Sequence, residues 1–148
     1  MKHFLLFGMA LVMGVAGMAQ VVPPVNWTFS AKRINAQTYE VHMTATMING
    51  WHVYTQRPGA GPLPTSFKFT RNPLVVPMGT VKEVGRLRKV VDKSYHSEVS
   101  YYEGSVDFVQ TVAVKGKAKV GGTIEFMAAN ANQTLPPKDI QFSVQVGQ

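Results

Sequence analysis

None of the 148 residues of this chain is cysteine. Thiol–disulfide exchange needs a thiolate that attacks a disulfide sulfur, so no residue here can perform it. His42, His52 and His96 are the histidines beyond the first twenty residues. A zinc site needs three or four ligands in tetrahedral reach, usually including a close-spaced pair. His42 falls on the polar side of an alternating run, His52 follows a turn signal, and His96 lies in a polar stretch, so neither a metal nor another cofactor is expected. Met43 and Met47 fall on the apolar side of the same run and read as packing residues, not copper ligands. The eight carboxylates are scattered, and no G-x-S-x-G nucleophile elbow is present. Asn26-Trp27-Thr28 and Asn132-Gln133-Thr134 match the glycosylation sequon, but as chance matches in a chain of bacterial character. The remaining candidates are aromatic. Trp51, Tyr54, Tyr95, Tyr101 and Tyr102 could line a groove for sugar or peptide. The competing role is core and cross-strand packing, which is the reading for Trp27, Phe29, Phe108 and Phe126. For Tyr95 and Trp51 both roles stay open.

The elements that must position these groups are strands. Trp27, Phe29 and Ala31 alternate with polar residues, and Tyr39 to Met47 alternates cleanly with Glu40, His42, Thr44 and Thr46. Such period-two patterning marks half-buried strands. Asn49-Gly50 is a hairpin-type turn signal before a short strand, Trp51–Thr55. Residues 57–64, rich in Pro and Gly, must form a loop. Further strands are expected at 66–70, 74–76, 80–84, 99–102, 105–114, 119–127 and 140–146. A polar interruption falls near 92–98, and turns or bulges at Glu103-Gly104 and Gly121-Gly122. No helical spacing persists. The expectation is all-β: a single antiparallel β-sandwich.

The N-terminus reads as a secretory signal peptide over residues 1–19. Lys2 and His3 precede the apolar run Phe4–Gly17, and Gly17-Met18-Ala19 offers a small-residue cleavage site before Gln20. The run is shorter than the roughly 18–20 apolar residues a membrane span needs. The expectation is export to the periplasm or medium, with no membrane insertion after cleavage. Residues 20–148 then form one domain, large enough to bury about two-thirds of its unfolded surface. The formal charge is +7, but the basic residues are scattered and accompany no nucleic-acid-binding motif, so nucleic acid is not an expected partner. Lysines on edge strands serve instead to discourage sheet-to-sheet aggregation. Oligomeric state is not legible.

Phe126-Met-Ala-Ala-Asn-Ala-Asn-Gln-Thr-Leu-Pro-Pro137 resembles a redox segment from which both sulfurs are gone. In the N-terminal periplasmic domain of the thiol:disulfide interchange protein DsbD, the disulfide bond corrector family, a strand leads into a cysteine, a short polar loop, a second cysteine, an apolar residue and Pro-Pro. Ala129 and Thr134 stand at the two cysteine positions. Asn49–Gln56, Gly61–Phe67, Asp92–Tyr95, Tyr101–Gly104 and Val106–Phe108 extend the resemblance, in order, over about Val25 to Val146. It implies an immunoglobulin-like sandwich and a cap loop whose aromatic residue shields the cysteine pair, with Tyr95 the counterpart here. The chain also departs by ending at Gln148, where full-length members continue into a membrane domain and a thioredoxin-like domain.

The function expected from this resemblance is a redox-inactive module that docks an exported, thioredoxin-like protein. The expected surface comprises Tyr95, Trp51, Tyr54, Asn130, Asn132, Gln133 and Leu135. Alternatives from other classes are a carbohydrate-binding or structural sandwich, and a disulfide reductase component. The missing cysteines argue against the last.

Overall fold

The computed structural model describes residues 17–18 and 20–148. Gly17 and Met18 apart, the expected signal peptide lies outside the described residues. The strands are β1 Val25–Asn35, β2 Thr38–Met47, β3 His52–Tyr54, β4 Ser66–Phe69, β5 Val75–Asp92, β6 Ser97–Val114, β7 Ala118–Phe126, β8 Ala128–Ala129 and β9 Lys138–Val146. No helix occurs among the described residues. The larger sheet runs β1-β2-β6-β3-β8, and the smaller β4-β7-β9. Every strand pairing is antiparallel. Residues of β6 pair simultaneously with β2 and with β5, so β5 occupies the opposite edge of β6.

The expected alternation is what builds the core. Tyr39, Val41, Met43, Ala45 and Met47 of β2 are buried, while Glu40, His42 and Thr44 lie on the outer face. His42 there contacts Asp107 at 2.7 Å and Glu40 at 3.2 Å, a hydrogen-bonded cluster on the sheet exterior. Between the sheets, Trp27 packs against Phe29, Phe108 and Phe126 with ring centroids 5.3–6.5 Å apart. Those aromatics are core residues, as the sequence suggests, and Phe67 and Phe142 complete the layer. Offset and edge-on pairs of this kind add about 0.5–1.5 kcal/mol beyond their buried area.

Three expectations need correction. The segments at 74–76 and 80–84 are parts of one strand that runs on to Asp92. Residues 85–91 carry no alternating pattern; their extended state is imposed by pairing with β6. Val99–Tyr102 and Ser105–Val114 likewise form one strand, and Glu103-Gly104 is a bulge inside it, where Gly85 pairs Val106 and Leu87 pairs Tyr102. Gly121-Gly122 is neither turn nor bulge; both lie in regular register within β7. The reason for glycine is close approach: a Cβ on Gly122 would overlap the Lys68 carbonyl oxygen and press on the Phe142 ring.

Candidate functional site

Period two also divides β3, β6 and β8 between two faces. Val53, Tyr102 and Ala128 point into the main core. Their neighbours Tyr54, Tyr101 and Ala129 point the other way and meet Val99, Met127, Leu63 and Tyr95 in a second, smaller cluster. This cluster lies on the outer face of the larger sheet. Tyr54 is 1% exposed and Ala129 only 2%.

Ala129 begins a tight turn. The Asn130 amide donates to the Gln133 carbonyl at 2.9 Å, and the Asn130 side-chain oxygen accepts from the Asn132 and Gln133 amides, each at 2.9 Å. The chain returns as Thr134, which bridges Ala129, and the Leu135 amide donates to the Ala128 carbonyl at 2.9 Å. Hydrogen bonds on either side of the bridge make Ala129 and Thr134 a non-hydrogen-bonded antiparallel pair. Cα atoms in such a pair lie about 4.5 Å apart, inside the roughly 4.4–6.8 Å that a disulfide spans. The positions expected to have carried sulfur therefore face one another.

Tyr95 of the β5–β6 hairpin packs in the same small cluster as Ala129, while Thr134 is exposed. The β5–β6 hairpin turns at Lys93–His96, where the Asp92 carboxylate accepts the Ser94 amide at 2.7 Å and His96 adopts φ 54°. Tyr95 descends from this tip. Its ring lies against bare Gly61 (φ 112°), so closely that a Cβ there would overlap it. The loop bearing Gly61 is tied to β6: Ser97 Oγ donates to the Ala60 carbonyl and the Ser100 amide to the Pro58 carbonyl, both at 2.9 Å. Thr65 Oγ1 donates to the Tyr54 carbonyl at 2.6 Å, closing the loop's far end. The Pro- and Gly-rich segment is thus a fitted seat for Tyr95.

Between the hairpin tip and the 130–133 turn lies an open cleft of about 720 Å³. Tyr54, Tyr95, Asn130, Asn132 and Gln133 line it with Ala129 and Thr134. Trp51 and Leu135 do not. Trp51 shares the parity of Val53 and packs on the main core, and Leu135 packs there too, near Phe126. Tyr102, weighed as a groove aromatic, is a core residue whose hydroxyl donates to Glu83 at 2.9 Å.

Residue-type reasoning missed Glu103, Val90 and Val91, which line the cleft together with His52 of the Trp51–Tyr54 segment. Counting back by two from Tyr54 places His52 on the same face, a signal that was available. His52 is the cross-strand partner of both Ala129 and Glu103. Its ring stacks on Tyr101 with centroids 4.1 Å apart and meets the Tyr54 ring edge-on. Its Nε2 is buried without a partner. Burial pushes the imidazole below its ordinary value, against the opposing pull of Glu103 and Asp92. Burial, then the neighbouring Tyr95 and Asp92, pushes the Tyr54 phenol well above its ordinary range. Both groups are therefore neutral near pH 7. Among the described residues no cluster of three metal-ligating side chains forms.

The backbone resembles solved structures of one kind. The N-terminal periplasmic domain of ScsB from Proteus mirabilis superposes with a TM-score of 0.60 at 12% identity, over 84% of this chain and 48% of that one. The reduced N-terminal domain of Neisseria meningitidis DsbD gives 0.54 at 12% identity, over 82% and 86%. The same domain in complex with the PilB N-terminal domain gives 0.54 at 13% identity, over 84% and 88%. This chain has the fold of the DsbD N-terminal domain. It spans about half the length of the ScsB domain and most of the two DsbD domains. No family model matches the sequence, and no curated protein matches it. The DsbD fold here carries no cysteine at all.

Proposed function

We propose that this chain is an exported, redox-inactive docking module of the DsbD N-terminal type, which binds a thioredoxin-like protein at the cleft beneath Tyr95. One observation carries the reading. Ala129 and Thr134 bridge one another, buried and exposed respectively, beside Tyr95 and its fitted seat. A facing pair at these two positions supports reading the cleft as a thiol site without its reactive atoms. Ala129 offers no nucleophile, and the Thr134 hydroxyl neither ionises near neutral pH nor supports a two-electron couple. The chain itself therefore recognises without exchanging.

Tyr95 and Tyr54 supply the aromatic surface, and Asn130, Asn132 and Gln133 the polar rim. Trp51 and Leu135 support the cleft from behind. A DsbD N-terminal domain from Neisseria meningitidis is structurally characterised in complex with the PilB N-terminal domain, which supports a protein partner for the same fold. The periplasmic setting of the similar domains and the pattern of residues 1–19 support export.

The test is retention of periplasmic proteins by the immobilised chain, with and without dithiothreitol, followed by mass spectrometry. Retention of a thioredoxin-like protein that survives reductant is the expected result. Capture of a glycan through the same tyrosines, with no protein retained, would replace the docking reading by carbohydrate binding.

A further inference from the structure

β5 is an 18-residue strand with a partner on one side only. Its free side is not uniform. At Met78, Gly79 and Val81 the side chains of Gln110 and Gln56 donate to its carbonyls. From Val84 to Asp92, among the described residues, only the β6 ladder bonds its backbone. Beyond the bulge at Gly85, Leu87–Asp92 pairs without interruption with Ser97–Tyr102 and leads to the hairpin tip.

Protected edges are short, bulged or charged. This edge is charged but long, and its apolar side chains stand in solvent: Val84 is 61% exposed, Val91 75%, and Leu87 45%. Residues 82–93 carry five basic groups, Lys82, Arg86, Arg88, Lys89 and Lys93, against Glu83 and Asp92. Both carboxylates are engaged within the chain, Glu83 by Tyr102 and Gln56, Asp92 by the Ser94 amide. Among the described residues, Arg88 alone of the five bases has an ion-pair partner, Glu103. Pairing with a second copy would set like charges opposite one another, which is unfavourable in a ladder.

We infer that the Leu87–Asp92 edge accepts an extended acidic segment of a partner protein as an added antiparallel or parallel strand. Backbone pairing supplies the attraction common to strand addition. Period two puts Leu87, Lys89, Val91 and Lys93 on one face and Arg88, Val90 and Asp92 on the other, so the acidic side chains of an alternating segment meet Lys89 and Lys93 while its apolar ones cover Val90. Val90, Val91 and Asp92 of this edge also border the cleft, but the pairing groups are the free backbone amides and carbonyls of β5, not Tyr54 or Tyr95.

The probe is a short fluorescent peptide alternating glutamate and valine. Controls are its lysine–valine counterpart and a version N-methylated at alternate residues. Binding is read by anisotropy, and location by amide hydrogen exchange. The glutamate peptide should bind and slow exchange at 87–92, and N-methylation should abolish both effects. The double variant Lys89→Glu/Lys93→Glu should weaken it by about tenfold, and added salt should weaken it too. Equal binding of the lysine peptide, protection elsewhere, or no binding overturns the inference. So does a concentration-dependent dimer in sedimentation that pairs through this edge. Intact exchange at β2 and β6 in the variant shows that it is folded.

Discussion

Ala129 and Thr134 hold facing positions on a tight turn, and the simplest test of that geometry is to introduce sulfur at both. The double change Ala129→Cys/Thr134→Cys should form an intramolecular disulfide under mild oxidation, verified by a two-dalton mass loss. Closing so short a loop should add about 2 kcal/mol to stability. Persistent free thiols after oxidation would show that the facing geometry is wrong. His52 beside Ala129 makes a second prediction. Its folded pKa lies below the ordinary value of 6.5, so between those two values the unfolded chain binds more protons than the folded one. Stability from this residue is complete above pH 6.5 and is lost as pH falls toward the folded value. Urea melts at pH 7.5 and 5 should therefore show a smaller acid loss for His52→Gln than for the unaltered chain. An equal loss would remove His52 as its source.

The hairpin tip and the Gly61 loop act as one device, since each is held by the other. Tyr95 is half-buried on a satellite cluster and not in the main core. Tyr95→Ala should cost about 1 kcal/mol of stability, well below the roughly 3–5 kcal/mol of a core aromatic. It should weaken partner binding by about thirtyfold, the effect of a hot spot worth about 2 kcal/mol. A loss of folding would make Tyr95 a structural residue only. Gly61→Ala pushes a methyl into the Tyr95 ring and should reproduce the binding loss although it touches no partner. Much of this device was legible. The Pro-Gly run 57–64 had to be a loop, and Tyr95 stood out as an aromatic in a polar interruption. What the sequence hid was length and side. Residues 85–91 are extended because β6 pairs with them, a tertiary cause with no local signature. Trp51 and Tyr54 looked equivalent as nearby aromatics, yet an odd separation on a strand sends them to opposite faces.

At the scale of the molecule, the two faces of the larger sheet divide the labour. One face holds the fold through Phe108, Met43, Val41 and the smaller sheet; the other presents the cleft. Mutations should therefore separate. Phe108→Ala, fully buried, should lower stability by about 3–5 kcal/mol, whereas changes at Asn132 or Gln133, both exposed, should leave the melting temperature unchanged. A comparable melting shift from Asn132→Ala would contradict this division. The central claim is recognition without thiol chemistry, and one titration tests it most directly. The retained thioredoxin-like protein, once identified, is titrated into the unaltered chain and into Tyr95→Ala by calorimetry in reducing buffer. The expected result is reversible one-to-one binding that reductant does not weaken and that Tyr95→Ala reduces about thirtyfold. Binding that vanishes on reduction, or that is indifferent to Tyr95 in a folded variant, would contradict the claim.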